Sequence, residues 1–123
     1  MSSEAYHEPV DRLQSSTIDR HRAIQSIMEE LEAVDWYDQR VEATNDGDLA
    51  EVLSHNRDEE KEHAAMTIEW LRRHDTKWDQ HLRTYLFTDD DVLEIEEEAE
   101  HEPGGAEGAG DLGIGSLTGG SNL

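Results

Sequence analysis

Glu30 on one helical stretch and the run Glu60-Lys61-Glu62-His63 on another are the residues of this chain whose types and spacing can do chemistry. Glu60 and His63 stand three apart, so on a helix they share a face and can hold one metal ion. Glu30 falls on the face of Ala23, Ile27, Val34 and Tyr37, whereas Glu29 and Glu32 project to another side. A carboxylate placed alone among apolar side chains is normally protonated or paired. Here two carboxylates and an imidazole converge on core stripes that carry no Lys or Arg. A bound divalent cation supplies the missing positive charge. Oxygen donors with one nitrogen suit iron or manganese and also accept zinc or calcium, so ligand type alone leaves the metal open. One Glu plus one Glu-x-x-His is half the ligand set established for di-iron carboxylate bundles. The other half must come from a second chain.

The elements that position these residues follow from the breakers. Pro9 and Pro103 bracket the middle of the chain, and Gly47 is the one glycine between them. That distribution predicts a helical body with its main turn at Asn45-Asp46-Gly47-Asp48. The first helix is expected from about Ser16, where Ser16-x-x-Asp19 has the form of a capping box, to about Ala43, with Pro9 able to open an earlier turn. Ala23, Ile24, Ile27, Leu31, Val34 and Val41 form its broad apolar face, with Met28 at the margin. The second helix is expected from about Leu49 to Arg73, with a stripe of Leu49, Val52, Leu53, Thr67, Trp70 and Leu71. Between Leu53 and Ala64 no residue is hydrophobic, yet the stripe stays in register through Asn56, Glu60 and His63. A Glu-Lys-Glu-His run is also common on solvated helices. Its register, and the matching position of Glu30, favour the metal reading. A shorter helix is expected from Lys77 to Phe87.

The expected fold is therefore all-α: an antiparallel two-helix hairpin plus a short C-terminal helix. One hairpin leaves its apolar face uncovered and its ligand set incomplete, and two-fold pairing cures both defects by completing a four-helix bundle. Only 34% of the 123 residues are apolar, so a single chain has a thin core. Beyond Phe87 the composition changes. Nine of the fourteen residues from Asp89 to Glu102 are acidic, and Gly, Ala and Ser dominate after Pro103. Residues 1–88 are read as the helical domain and 89–111 as an acidic and Gly-rich flexible linker. At 112–123, Leu112, Ile114 and Leu117 restore spaced aliphatics in the manner of a short docking motif.

Ten Lys and Arg against thirty-one Asp and Glu give a net charge of −21, which opposes nucleic acid and anionic membranes and favours cations. The absence of cysteine excludes thiolate metal sites, disulfides and cysteine nucleophiles. The N-terminus lacks a basic region followed by an apolar run, and no stretch reaches a membrane span, so a cytosolic location is expected.

These residues resemble the encapsulated ferritins, small ferritin-like cargo proteins of encapsulin compartments. The resemblance rests on Arg20-His21-Arg22-Ala23-Ile24, on the run from Met28-Glu29-Glu30-Leu31-Glu32 to Trp36-Tyr37-Asp38-Gln39-Arg40, and on the run from His55-Asn56-Arg57 to His63-Ala64-Ala65-Met66. It continues through Glu69-Trp70-Leu71-Arg72-Arg73 and Leu82-Arg83-Thr84-Tyr85-Leu86-Phe87, covering roughly residues 7–88. It implies a homo-oligomer in which dimers, each a four-helix bundle, assemble into an annular decamer. It further implies a ferroxidase that oxidises Fe(II) with oxygen at an inter-subunit di-iron centre and delivers iron for mineral storage in the encapsulin lumen. Under it, Glu30, Glu60 and His63 are the ligands, Tyr37 and Trp36 lie close to the centre, and Glu29 and Glu32 form an outer metal site on the approach path. Iron is the implied metal, with calcium or zinc able to occupy the same or outer sites. The segment Leu112-Gly113-Ile114-Gly115-Ser116-Leu117 looks like a targeting peptide for the shell protein, which implies a location inside an encapsulin nanocompartment in the cytoplasm.

The same ligands would support a rubrerythrin-like di-iron peroxidase, although without cysteine there is no rubredoxin-like electron source. A redox-inert, metal-bound structural cargo is the non-enzymatic alternative.

Overall fold

A computed structural model describes residues 6–101. Within them a 3-10 turn, Val10–Arg12, precedes four α-helices: α1 Ser15–Ala43, α2 Gly47–His74, α3 Thr76–Tyr85 and α4 Val92–His101. The chain divides into two units, one ending at His74 and one beginning at Asp75.

In the first unit, α1 and α2 pack against each other as an antiparallel hairpin. Twenty-nine residues without Gly or Pro make α1 a continuous helix. It starts from an extended Gln14 with no side-chain cap. The expected capping box at Ser16 is not formed, because Ser16 already lies inside the first turn and Asp19 instead accepts a hydrogen bond from Arg22 (2.9 Å). Pro9 does open an earlier turn, at Val10–Arg12. The hairpin turn sits slightly earlier than expected. Thr44 is extended, its hydroxyl accepts from the Asp46 N–H (3.1 Å), and the Asp46 carboxylate accepts from the Leu49 N–H (3.2 Å). Gly47 is thereby the first helical residue, not part of the turn.

The seam between the helices is narrow. Its buried residues are Ala23, Ala64 and Leu71, and the small alanines allow close approach of the two backbones. Ala64 was not on the expected stripe. The flanking stripe residues Leu31 and Val52 remain 54% and 56% exposed, as do Ile24, Met28 and Leu49 to similar extents. Two helices can cover only the line along which they touch, so the expected broad apolar faces exist but are half-open in one chain.

In the second unit, Asp75 caps α3 by accepting from the Lys77 and Trp78 N–H groups (3.0 and 3.2 Å). The helix ends at Tyr85, two residues short of the expected Phe87, because Leu86 turns extended and the exposed Phe87 takes a left-handed conformation (φ 62°). The flexible linker expected from residue 89 is corrected by α4. Composition alone suggested disorder, but Glu, Leu and Ala are strong helix formers. Asp91 supplies a cap to the Glu94 N–H (3.2 Å), and His101 Nδ1 pairs with the Glu97 carbonyl (2.9 Å) at the other end. Leu112, Ile114 and Leu117, with the remainder of the expected linker and docking motif from residue 102 on, lie outside the described residues.

Candidate metal centre

Glu30 sits midway along α1 and is only partly exposed, and its Oε1 is buried without a hydrogen-bond partner. Its carboxyl is held above the usual carboxylate range first by burial, then by repulsion from Glu60; His63 opposes the rise and Glu29 adds to it. Glu60 and His63 of α2 are thereby within electrostatic reach of Glu30 of α1. On α2, His63 Nδ1 lies 3.7 Å from Glu60 Oε1, the approach that a three-residue helical spacing allows. His63 Nε2 lies 3.8 Å from Glu59 Oε1, whose other oxygen is 3.9 Å from His55 Nε2. Glu59 thus stands between two imidazoles one turn to either side, a pairing that the four-residue spacing of His55, Glu59 and His63 already contained.

The remaining candidates are less enclosed. Glu29 and Glu32 are exposed on α1, with Glu29 near enough to Glu30 to repel it. Tyr37 is partly buried, and the Arg40 guanidinium lies over both its ring (5.6 Å) and that of Trp36 (5.9 Å). His63, expected in the core, is 46% exposed in the single chain. Asn56, two turns earlier on α2, is only partly exposed. Within one chain, no group of three or more His, Asp and Glu side chains among the described residues is gathered closely enough to hold a metal ion. What one hairpin provides is an open half-set: an unpartnered buried carboxylate oxygen on one helix facing a carboxylate and an imidazole on the other.

An ion network toward the hairpin turn was not foreseen. Arg57 Nη1 donates to Asp38 Oδ1 across the helices (3.0 Å), and its Nε donates to Asp58 (3.2 Å). Lys61 Nζ lies 3.6 Å from the same Asp58 oxygen. None of the described helices is long and apolar enough to cross a membrane.

Comparison with known proteins covers nearly the whole chain. It is 59% identical to the encapsulated ferritin-like protein of Rhodospirillum rubrum, with 96% of this chain and 91% of the relative aligned. It is 54% identical to a ferritin-like protein of Thermotoga maritima, over 94% of this chain and 99% of that one. Among solved structures, the crystal structure of protein ne0167 from Nitrosomonas europaea superposes with a TM-score of 0.69 at 56% identity, covering 71% of this chain and 96% of the other. The family profile described as EncFtn-like matches residues 5–89, the stretch that contains the hairpin, its half-set of ligands and α3, and the chain belongs to that family of encapsulated ferritin-like proteins.

Proposed function

We propose that this protein is a ferroxidase whose di-iron centre forms where two copies of the hairpin meet, and that it serves iron storage inside an encapsulin shell. The observation that carries the reading is the buried, unpartnered Glu30 oxygen facing Glu60 and His63. A buried acceptor left without a partner is costly, and a cation between the helices removes that cost. Fe(II) is the substrate, and the donor set of two carboxylates and one imidazole suits it. A single hairpin brings too few ligands, and the same hairpin leaves Ile24, Met28, Leu31, Leu49 and Val52 open to solvent. Two-fold pairing answers both, since Glu30, Glu60 and His63 of each copy would together supply the donors that could hold two ions. Iron bound there supplies one electron per ion, and dioxygen is the acceptor.

The chain's own residues define the rest of the task. Glu30, Glu60 and His63 are the residues that would bind and hold the ions. Tyr37, under the Arg40 cation, places a phenol on the α1 face two turns beyond Glu30, in position to hydrogen-bond near the centre. Glu29 and Glu32 give an outer carboxylate pair from which cations can be passed inward, and the net charge of −21 raises the local cation concentration around the whole molecule. Dimers assembling into an annular decamer complete the proposed form. The Rhodospirillum rubrum relative is named as encapsulated, and Leu112, Ile114 and Leu117 are proposed as the peptide by which this chain docks on the shell protein.

One experiment separates the two halves of this reading. Oxygen uptake after Fe(II) addition is measured for the full chain, for Glu30→Ala, and for a chain ending at Asp111, alongside co-purification with a co-expressed encapsulin shell. The full chain should oxidise iron well above the buffer rate, Glu30→Ala should not, and the truncated chain should oxidise normally but fail to co-purify. Iron oxidation no faster than in buffer would leave a redox-inert cargo. A truncated chain packaged at the full-chain level would move the docking function to the helical surface.

A further inference from the structure

The half-set of ligands is unusual in one electrostatic respect. Arg57 precedes Glu60 by three residues, the spacing at which a helical arginine and glutamate pair. Yet Glu60 makes no ion pair with Arg57; the nearest described group of opposite polarity to its Oε1 is His63 Nδ1, at 3.7 Å. Arg57 is engaged elsewhere. Its Nη1 reaches Asp38 of α1 at 3.0 Å and its Nε reaches Asp58 at 3.2 Å, and its side chain is only 23% exposed.

Helix geometry explains the direction of that reach. Asp38 lies eight residues past Glu30, about 12 Å nearer the hairpin turn, while Arg57 lies about 4.5 Å nearer the turn than Glu60. The arginine side chain spans the difference and so is drawn along the seam toward the turn, away from the carboxylates. Lys61, next in line, is likewise tied to Asp58, at 3.6 Å.

We infer that Asp38 and Asp58 are positioning residues that hold Arg57 off Glu60 and Glu30, keeping those carboxylates free of a protein cation and open to a metal ion. This rests on the metal-centre reading above and extends it. An arginine paired with Glu60 would neutralise the charge that a divalent cation needs, and metal would have to displace a charge-assisted hydrogen bond to bind.

Co(II) titration of the full chain, followed by its d–d absorption, tests this without reference to iron oxidation. Asp38→Asn with Asp58→Asn should release Arg57 and weaken Co(II) binding by about tenfold, the competition expected of one charge-assisted hydrogen bond. Adding Arg57→Gln to that pair should restore affinity to within about twofold of wild type. Titration at an ionic strength that screens exposed charges removes any general loss of attraction between the acidic protein and the cation. If the triple variant binds as weakly as the double, the aspartates act through the fold and the inference is overturned. A double variant that binds as tightly as wild type overturns it too. Should the double variant not fold, Asp38→Asn alone carries the same test, with a smaller loss that Arg57→Gln must reverse. Glu30→Gln is the parallel control: Co(II) binding that ignores Glu30 sinks the metal centre itself, whereas Glu30-dependent binding that ignores the aspartates sinks the inference alone.

Discussion

Two glutamates of the same hairpin are treated in opposite ways. Near the end of α2, Glu69 accepts from Arg72 Nε and Nη2 (both 2.8 Å) and from Arg73 Nε (2.7 Å), and these hydrogen bonds hold its carboxyl at about 2. Midway along α1, Glu30 has a buried oxygen with no partner, faces a second carboxylate, and is pushed above the carboxylate range. The end of the hairpin satisfies its charges from within one chain; the middle does not. Structural ion pairs serve the fold, whereas a buried carboxylate oxygen without a partner marks a candidate functional site.

The largest expected effect breaks the middle. Glu30→Ala, Glu60→Ala and His63→Ala would each delete two ligands of the proposed paired site and should lower the rate of iron oxidation by about hundredfold or more, beyond the effect of losing an outer-sphere partner. Glu69→Ala should leave that rate unchanged. Oxygen-electrode rates for the four variants check both statements together. A Glu69→Ala loss comparable to that of Glu30→Ala would erase the distinction between the two regions.

Assembly comes next. In the proposed pairing, two copies of Glu30 and Glu60 at one interface would repel until a cation lay between them, while the exposed Leu31, Met28 and Val52 faces would favour pairing. Removing metal with a chelator should therefore shift native mass, read by light scattering, toward smaller species, and Fe(II) should reverse the shift. Glu30→Gln should weaken this dependence by removing repulsion, so that more of the chelated protein stays associated. A chelated wild-type protein of undiminished mass would show that the apolar faces alone decide assembly.

The fold and the centre were legible to different depths. The hairpin itself follows from breaker placement and helical period, which act locally along the sequence, whereas its exact ends do not: Ser16 lies inside the first turn of α1 and Gly47 inside α2. Nor does the burial of the apolar faces. Ile24 and Leu31 lie on the expected apolar stripe, but a two-helix seam covers Ala23, Ala64 and Leu71 and leaves the larger side chains for another surface. Composition misled at Val92–His101, where acidity concealed the helix-forming power of Glu, Leu and Ala in α4. The Arg57–Asp38 pair joins residues nineteen apart, and no local period marks which of many acidic side chains an arginine will choose.

The smallest effect sharpens the satisfied end. Glu69 has its carboxyl lowered from 4.5 to about 2 by Arg72 and Arg73, so its ionised form is favoured in the folded state. The stability it contributes is present above pH 4.5 and is lost as pH falls from there through about 2. Its side chain is 42% exposed, so solvent screens the arginine pairs and the contribution is about 0.5–1 kcal/mol. Glu69→Gln should accordingly lower the thermal midpoint of the protein by about 2–6 °C at pH 7. The gap should narrow between pH 4.5 and pH 2 and shrink with added salt, with iron oxidation unaffected. A gap that stays constant across that range would mean that Glu69 acts by packing its methylenes along α2, and the contrast with Glu30 would then be one of burial and not of charge.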